Sequence, residues 1–345
     1  MAVSTASTEW TDPGAFPVAD GIHRIPLPMP NDGLKAVNVY AIENGDGLAL
    51  VDTGWDHPAA VAALDAGLAQ IGASVADLNQ IIVTHFHADH YALAGPLRER
   101  SGAPVLFPED GLPGVRVALE PETERRAHAA RQREMARHGA GGLEDPLPKA
   151  HDEFSHFRFA IPDHMLRDGD VIELADRTLQ VITVPGHTHG HATFYDEAAG
   201  IYLAADHVLP HITPSIGFEP FPKPLVLQSF LASLKKVRPL PAQLVLPAHG
   251  PVFTDLQGRV DELLAHHDRR LADCVGHVEA GHERAYAVAE QLLWTKRDTP
   301  FSTLDAFNRY IAVGETIAHL ELLAHDGRIA RHDRDDEVRF TGIGA

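Results

Sequence analysis

The chain has 345 residues and is 44% hydrophobic, so it can bury a large core and exceeds the usual size of one domain. Its 48 acidic residues outnumber the 29 basic ones, and the formal net charge of −19 opposes nonspecific binding to nucleic acids. The sequence has no signal-peptide pattern, no apolar run near the roughly 18 residues of a membrane span and a single cysteine, Cys274, which together predict a cytoplasmic protein that does not enter a membrane.

The first predicted elements are two strands joined by a tight turn. Residues 36–42 and 47–54 are rich in apolar and β-branched side chains, and the ENGDG between them has the composition of a hairpin turn. Residues 58–72 predict a helix, because a proline stands at the start, alanine and leucine recur at helical spacing and a glycine ends the pattern. The apolar residues 81–83 predict a buried strand that leads directly into THFHADH, residues 84–90.

Residues 111–165 differ in character from their surroundings and are interpreted as an insertion. Their first half is helical in composition with a poor apolar face, and GAGGLEDPLPKA then breaks the pattern with glycine and proline. We interpret this insertion as a lid or specificity segment. The alternative is a solvated helical hairpin that only covers a sheet edge.

A second block rich in strands follows from about residue 170. The apolar segments RTLQVITVPG, IYLAAD and QLVLPAHG each end in, or lead directly to, polar residues that can carry chemistry. Polar side chains at the ends of strands, held by a rigid sheet, are typical of catalytic sites. The tail then predicts two amphipathic helices, at 284–295 and 303–323, and a final strand-like segment at 336–342. We therefore divide the chain into domains 1–260 and 261–345.

The histidines and aspartates at these strand ends have the spacing of metal ligands. His85 and His87 are two residues apart, so in an extended segment both imidazoles can face one ion. Asp89 and His90 follow at once and offer an oxygen and a nitrogen to a neighbouring ion. Three further candidates stand at the later strand ends: His187, Asp206 and His249. The full set is therefore five histidines and two aspartates. A set of this size favours two metal ions over one.

THFHADH, followed in order by GHTHGH, AADH and PAHG, resembles the metallo-β-lactamase-fold hydrolase superfamily over roughly residues 20–255. The resemblance implies an α/β fold, a four-layer αβ/βα sandwich of two mixed sheets with a dinuclear site at one sheet edge. The tail resembles the small winged-helix-like domain of proteins of the β-lactamase-like protein 2 type. The implied ligands are His85, His87 and His187 for the first metal, Asp89, His90 and His249 for the second, and Asp206 as a bridge between them.

The same resemblance gives roles to residues near the ligands. Asp52, in VDTG, matches an aspartate that orients metal-bound imidazoles, and His191 matches a structural histidine of the motif. Candidates for the substrate pocket are His189, His207 and Lys223. Several other histidines are predicted to be surface residues: His57, His128, His138, His266, His267 and His325.

Two divalent ions bridged by a carboxylate can share a water and lower its pKa toward about 7, which makes hydroxide available as a nucleophile at neutral pH. Zinc is our first expectation, and iron or manganese also suits nitrogen and oxygen ligands. Asp89 is the expected catalytic group that holds the attacking water or relays its proton. The seven-ligand set is shared with glyoxalase II thioesterases and quorum-quenching lactonases, whereas the antibiotic-cleaving enzymes place other residues at the positions of Asp89 or Asp206.

These features predict a metal-dependent hydrolase that attacks the acyl bond of a small thioester, ester or lactone with the metal-bridging hydroxide. The first alternative is a phosphodiesterase or ribonuclease of the β-lactamase-like protein 2 type, although mixed charges in the tail argue against nucleic acid as a partner. The second alternative is a noncatalytic regulatory protein that binds metal. A homodimer is compatible with the sequence.

Overall fold

The computed structural model describes residues 10–29, 33–145, 160–295, 297–334 and 336–343. Within these ranges the strands are β1 (Phe16–Ala19), β2 (Ile22–Pro28), β3 (Ala36–Asn44), β4 (Gly47–Val51), β5 (Leu78–Ile82), β6 (Val105–Pro108), β7 (His164–Leu166), β8 (Val171–Glu173), β9 (Thr178–Thr183), β10 (Ala192–Asp196), β11 (Ile201–Ala205), β12 (Leu244–Pro247), β13 (Leu293–Trp294), β14 (Thr299–Pro300), β15 (Ile329–Arg334) and β16 (Glu337–Gly342). The α-helices are α1 (Pro58–Gln70), α2 (Ala88–Tyr91), α3 (Ala94–Ser101), α4 (Leu112–Leu119), α5 (Pro121–Arg137), α6 (Val226–Val237), α7 (Leu256–Glu279), α8 (Ala285–Gln291) and α9 (Ala306–His325). Short 3₁₀ helices lie at Val75–Asp77, Glu109–Gly111 and Phe301–Thr303.

Two large sheets form the centre of the molecule. Strands β1 to β7 lie side by side in chain order, antiparallel from β1 to β4 and parallel from β4 to β7. The second sheet has the order β12-β11-β10-β9-β8 and is antiparallel except for the β11–β12 pair. Both sheets are therefore mixed, as the resemblance to the superfamily implied. Two short hairpins, β13–β14 and β15–β16, belong to the tail.

Three apolar clusters show how the layers stack. One lies between the sheets and joins side chains of β2 to β7 with side chains of β8 to β12. A second packs the outer face of the first sheet against α1 and α3. The third packs the outer face of the second sheet against α6, α7, α8 and α9. The order helix, sheet, sheet, helix confirms the predicted four-layer α/β sandwich.

Several predicted elements agree with the structure, and others differ at their ends. The predicted strands at 36–42 and 47–54 are β3 and β4, and the predicted helix at 58–72 is α1. The predicted helix at 284–295 ends earlier, at Gln291, because the next residues extend into β13. Strand β2 was not predicted, since its two prolines, Pro26 and Pro28, argue against a central strand.

The insertion packs against the tail through helix α5. The backbone carbonyl of His138, just after α5, accepts a hydrogen bond of 3.1 Å from the backbone N–H of Tyr286, and the His138 ring stacks on Phe340. Arg137 pairs with Asp333 in the β15–β16 hairpin. The part of the insertion at 146–159 lies outside the described residues, and a lid role stays a prediction.

Two histidines that were predicted to be surface residues are fully buried. His138 lies under the β15–β16 hairpin, and His267 faces His319 on α9, with 3.2 Å between Nδ1 of His267 and Nε2 of His319. The prediction was wrong because it did not include the packing of α5 against the β15–β16 hairpin and of α7 against α9. His57, His128 and His266 are partly exposed and His325 is exposed.

The tail shares its apolar core with the outer face of the second sheet. Helix α7 runs continuously across the predicted domain boundary between residues 260 and 261. The boundary therefore stays a prediction. Of the helices in the described part of the chain, none combines the length and apolar character that a membrane-spanning segment requires.

Candidate metal centre

Seven histidine and aspartate side chains from both sheets meet at one end of the sandwich. The loop after β5 and the short helix α2 supply four of them, and the segments that follow β9, β11 and β12 supply the rest. Six of the seven are buried and the other is half-buried. They form three sets whose ligand atoms lie within 4.8 Å of one another. His85, His87 and His187 are called here the first group, and Asp89, His90 and His249 are called the second group. The remaining set, His85, His90 and Asp206, overlaps both groups.

The first group is a triangle of imidazole nitrogens. Nδ1 of His87 lies 3.0 Å from Nε2 of His85 and 3.1 Å from Nε2 of His187. Nitrogens bound to one tetrahedral zinc ion at about 2.0–2.1 Å stand roughly 3.3 Å apart. The spacing of the three nitrogens therefore fits a single metal ion.

The second group combines one carboxylate with two imidazoles. Oδ2 of Asp89 lies 3.4 Å from Nε2 of His90 and 3.3 Å from Nε2 of His249. Asp89 and His90, both on helix α2, reach the metal centre because the helix begins directly after His87. This mixture of oxygen and nitrogen ligands also fits a divalent ion.

Asp206 stands between the two groups. Its Oδ2 lies 3.4 Å from Nε2 of His187 and 3.6 Å from Nε2 of His90, while its Oδ1 lies 3.4 Å from Nε2 of His249. One carboxylate thus faces ligands of both groups. The arrangement fits a dinuclear site with a shared carboxylate.

The outer nitrogens of three histidines are tied to acceptors. Nδ1 of His90 contacts Oδ2 of Asp52 at 2.7 Å, Nδ1 of His187 contacts the carbonyl of Ser215 at 2.9 Å, and Nδ1 of His249 contacts the carbonyl of Ala36 at 2.8 Å. Donation from Nδ1 leaves a lone pair on Nε2, which is the nitrogen that faces the centre.

Unsatisfied atoms at the centre support the same conclusion. Nε2 of His90, Nε2 of His249 and Oδ1 of Asp206 are buried and have no hydrogen-bond partner among the described residues. Buried polar atoms are nearly always satisfied, so such a group of ligand-type atoms calls for an ion or ordered water. The residues present therefore fit a pair of divalent ions.

The electrostatics of the first group suit metal coordination. Burial, together with the neighbouring His187, lowers the pKa of His87 to about 3. Burial also lowers the pKa of His85 well below its usual range and lowers the pKa of His187. These imidazoles are neutral at physiological pH, which is the form that binds metals.

In the second group, neighbouring charges outweigh the effect of burial on the pKa values. Burial lowers the pKa of His90, but the surrounding Asp89, Asp52 and Asp206 raise it well above its usual value. Burial likewise opposes the charged forms of Asp89 and Asp206, but the neighbouring histidines lower the pKa of both carboxyls. Without an ion, protons on imidazoles neutralise these carboxylates. A divalent cation would take over that positive charge and release the protons.

The other predicted site residues lie around this centre in different ways. Asp52 contacts His90 directly, as described above. His191 is buried behind the first group, with its ring centroid 4.7 Å from that of His85. His189 and Lys223 line a common cavity of about 120 Å³, together with Phe86, which precedes His87.

His207 does not line that cavity. Its ring is fully buried between His191 and Phe230, with ring centroids 6.3 and 5.4 Å away. The position directly after Asp206 suggested a pocket residue, but the chain turns the His207 side chain toward helix α6 instead. This corrects the expectation that His207 faces substrate.

Some functional contacts could not be found by reading the sequence. The carbonyls of Ser215 and Ala36 support His187 and His249 through the backbone, so their residue types give no signal. Glu219 also lines the cavity with His189 and Lys223, and burial raises the pKa of its carboxyl to about 7. Only its position in the loop after Asp206 hinted at a role.

Comparisons with known proteins agree with this fold. The family model of the metallo-beta-lactamase superfamily matches residues 32–249, and a model of the metallo-beta-lactamase-like C-terminal domain matches residues 301–343. A solved metallo-beta-lactamase family protein from Thermus thermophilus is 30% identical, with a TM-score of 0.81 over 95% of this chain and 100% of that chain.

Curated relatives are more distant in sequence. A probable metallo-hydrolase of Bacillus subtilis is 24% identical over 325 residues, which cover 92% of this chain and 96% of that protein. An atrochrysone carboxyl ACP thioesterase of Aspergillus fumigatus is 24% identical over 241 residues, which cover 70% of this chain and 44% of that protein. The chain thus matches less than half of the length of that thioesterase.

Proposed function

The chain belongs to the metallo-beta-lactamase superfamily and is a metallo-hydrolase of that family, and from this premise we propose that it cleaves the acyl bond of a small thioester, ester or lactone. The observation that carries the proposal is the position of Asp206 between two groups of nitrogen and oxygen ligands. We propose zinc as the metal at both positions, with iron or manganese as the alternatives, since imidazole and carboxylate ligands suit all three.

Two divalent ions bound there would supply a water of lowered pKa as nucleophile and positive charge beside the carbonyl oxygen. The chain's own groups then have separate tasks. Asp89 is the carboxylate that we propose holds the attacking water and accepts its proton. The contacts of His90, His187 and His249 to their outer acceptors keep the imidazoles in the orientation that binding requires.

The cavity beside the centre supports a small acyl substrate. Phe86, whose ring centroid lies 4.9 Å from that of His87, lines this cavity with Phe221, Glu219 and Lys223. Apolar walls with a few polar groups are typical of pockets for small molecules. The cavity of about 120 Å³ has the size of a short acyl chain or one small ring, because cavities of about 150 Å³ hold benzene.

Two further facts favour an acyl bond over a phosphodiester. One curated relative is named as a thioesterase, and the formal net charge of −19 opposes the approach of a polyanion. A cytoplasmic location remains part of the proposal and rests on the sequence.

The test is a matched panel of thioesters, lactones and phosphodiesters, assayed with zinc-loaded protein before and after removal of metal by a chelator. We expect thioester or lactone hydrolysis that disappears with the chelator and returns when zinc is added. Faster cleavage of phosphodiesters would replace the acyl proposal with the phosphodiesterase alternative. Metal binding without turnover of any substrate class would favour the noncatalytic alternative.

A further inference from the structure

One loop connects the first metal group to both the insertion and the tail. Residues 215–220, called here the 215–220 loop, follow Asp206 along the chain. The carbonyl of Ser215 accepts the hydrogen bond from Nδ1 of His187 at 2.9 Å. The ring of Phe218 lies over His87, with 5.9 Å between centroids. The loop therefore contacts two of the three histidines of the first group.

The insertion holds this loop through a buried arginine. Arg131, on α5, is only 4% exposed, and its Nη1 donates a hydrogen bond of 3.0 Å to the carbonyl of Pro220. Its Nε donates to Oδ2 of Asp145 at 2.8 Å, and the Asp145 side chain is fully buried. A buried guanidinium needs such partners, because an unpaired buried charge is costly.

The tail holds the same loop from its other side. The ring of Phe218 contacts Phe307 on α9, with centroids 5.6 Å apart. Gly217, at φ +87°, faces the backbone of the same helix, and a Cβ placed there would stand 3.2 Å from the carbonyl oxygen of Gly314. The loop is therefore enclosed by α5 of the insertion and α9 of the tail.

Arg131 lies where the three segments meet. Tyr310, on α9, is buried, and burial raises the pKa of its phenol. Asp145 raises this pKa further, whereas Arg131 lowers it. The guanidinium thus hydrogen-bonds within the insertion and to the loop, and its charge acts on Tyr310 of the tail. It connects segments that are far apart in sequence and none of which supplies a metal ligand.

We propose that Arg131 is a positioning residue for the first metal site: it fixes the 215–220 loop, and the loop in turn orients His187 through the Ser215 carbonyl and covers His87 with Phe218. The inference rests on the proposed metal-dependent function. It gives the insertion and the tail an indirect share in holding the metal, through the 215–220 loop. Groups that hydrogen-bond directly to a metal ligand typically change metal affinity by about 10- to 100-fold when they are replaced. Arg131 acts one step further out, through the loop, so we expect a smaller effect.

The test uses Arg131→Lys in the full-length protein. Lysine keeps the positive charge beside Asp145 but lacks the planar fork that reaches Asp145 and Pro220 together, so the fold is retained while the loop loses one bond. The matched control is Arg125→Lys, because Arg125 stands on the same helix with an exposed side chain paired to Glu122. Arg131→Met is a second variant with a stronger expected effect.

Three quantities are measured for each variant: zinc affinity by competition with a chromophoric chelator, the visible absorption spectrum of the cobalt-substituted protein, and the melting temperature. For Arg131→Lys we expect zinc affinity to fall roughly 3- to 30-fold and the cobalt spectrum to change, with Arg125→Lys equal to the wild type. A lower melting temperature with unchanged zinc affinity and cobalt spectrum would overturn the inference, since Arg131 would then be purely structural.

The outcome is independent of the acyl-hydrolase proposal. If the wild type binds two zinc ions but hydrolyses none of the substrate panel, the function proposal fails while the effect of Arg131→Lys on zinc affinity still decides the inference. If the wild type hydrolyses acyl substrates and Arg131→Lys binds zinc normally, the inference fails and the function stands.

Discussion

Oδ2 of Asp52 lies 2.7 Å from Nδ1 of His90, and Asp52 itself adopts a left-handed backbone conformation at φ 60°. The same carboxylate accepts hydrogen bonds from the backbone N–H and the hydroxyl of Thr84, both at 2.9 Å. The backbone carbonyl of His90 in turn accepts from the backbone N–H and hydroxyl of Thr53. The end of β4 and the THFHADH segment are therefore locked together around one buried acid.

Asp52→Asn is expected to weaken binding of the second metal by about 10- to 100-fold. Asparagine tolerates the left-handed conformation as well as aspartate does, so the backbone is retained. The amide nitrogen of asparagine donates to Nδ1 of His90, whereas the carboxylate accepted from it. The imidazole must then carry its hydrogen on Nε2, the atom that faces the metal centre. Zinc affinity measured by competition tests this, and Asp46→Asn in an exposed turn is the control. Equal affinity in both variants would contradict the proposed role.

Asp89→Asn is expected to reduce turnover by about 10²-fold or more, because proton transfer by a positioned group contributes 10²- to 10⁴-fold. The change keeps the size of the side chain, so the fold should remain. It removes the negative charge beside His90 and His249, so zinc content should also fall from two ions toward one. Steady-state rates and metal analysis of the same sample check both effects. A rate equal to that of Asp46→Asn would remove Asp89 from the mechanism.

The sequence predicted most of the centre because strand ends fix where these side chains lie. β5, β9, β11 and β12 each end within a few residues of a ligand, so the sheets bring the ligands together. What could not be predicted depends on contacts between distant segments. The pairing of Arg131 with Pro220 joins residues 89 positions apart. The burial of His138 requires the β15–β16 hairpin to pack on α5, and that of His267 requires α9 to pack on α7. No local pattern encodes such contacts.

Lys223→Ala is expected to raise KM by about 2- to 5-fold for acyl substrates that carry a carboxylate, with little change in kcat. Lys223 is exposed at the rim of the cavity that also holds His189 and Glu219, and an exposed ion pair contributes about 1 kcal/mol or less. Neutral substrates of the same length should show no change in KM. Lys235→Ala, an exposed lysine on α6, serves as the control. An equal rise in KM for neutral and anionic substrates would show that the charge of Lys223 does not select between them.

Glu315→Gln is expected to change how stability depends on pH. Glu315 is buried on α9, and burial raises the pKa of its carboxyl to about 7, opposed by Arg270. A carboxyl whose pKa is raised on folding does not reduce the free energy of unfolding below its pKa in the unfolded chain, about 4.5. As the pH rises from there toward 7, the free energy of unfolding falls, because the unfolded chain releases the proton first. Glutamine has no such proton. The variant should therefore differ least from the wild type near pH 5 and exceed it most at pH 8, by on the order of 1–3 kcal/mol in the free energy of unfolding.

Urea unfolding of Glu315→Gln at pH 5, 6, 7 and 8 measures this difference, and Glu279→Gln at an exposed position on α7 is the matched control. The difference between variant and wild type should grow between the unfolded pKa of about 4.5 and the folded pKa of about 7, and level off above pH 7. His267, His319 and Cys274 lie in the same region, but burial favours their neutral forms, with the pKa of His267 lowered to about 2, that of His319 to about 3 and that of Cys274 raised to about 12. None of the three changes its charge in the folded protein between pH 5 and 8. A difference that is constant across this range, or that is largest at pH 5, would therefore mean that the Glu315 carboxyl does not titrate as its burial implies.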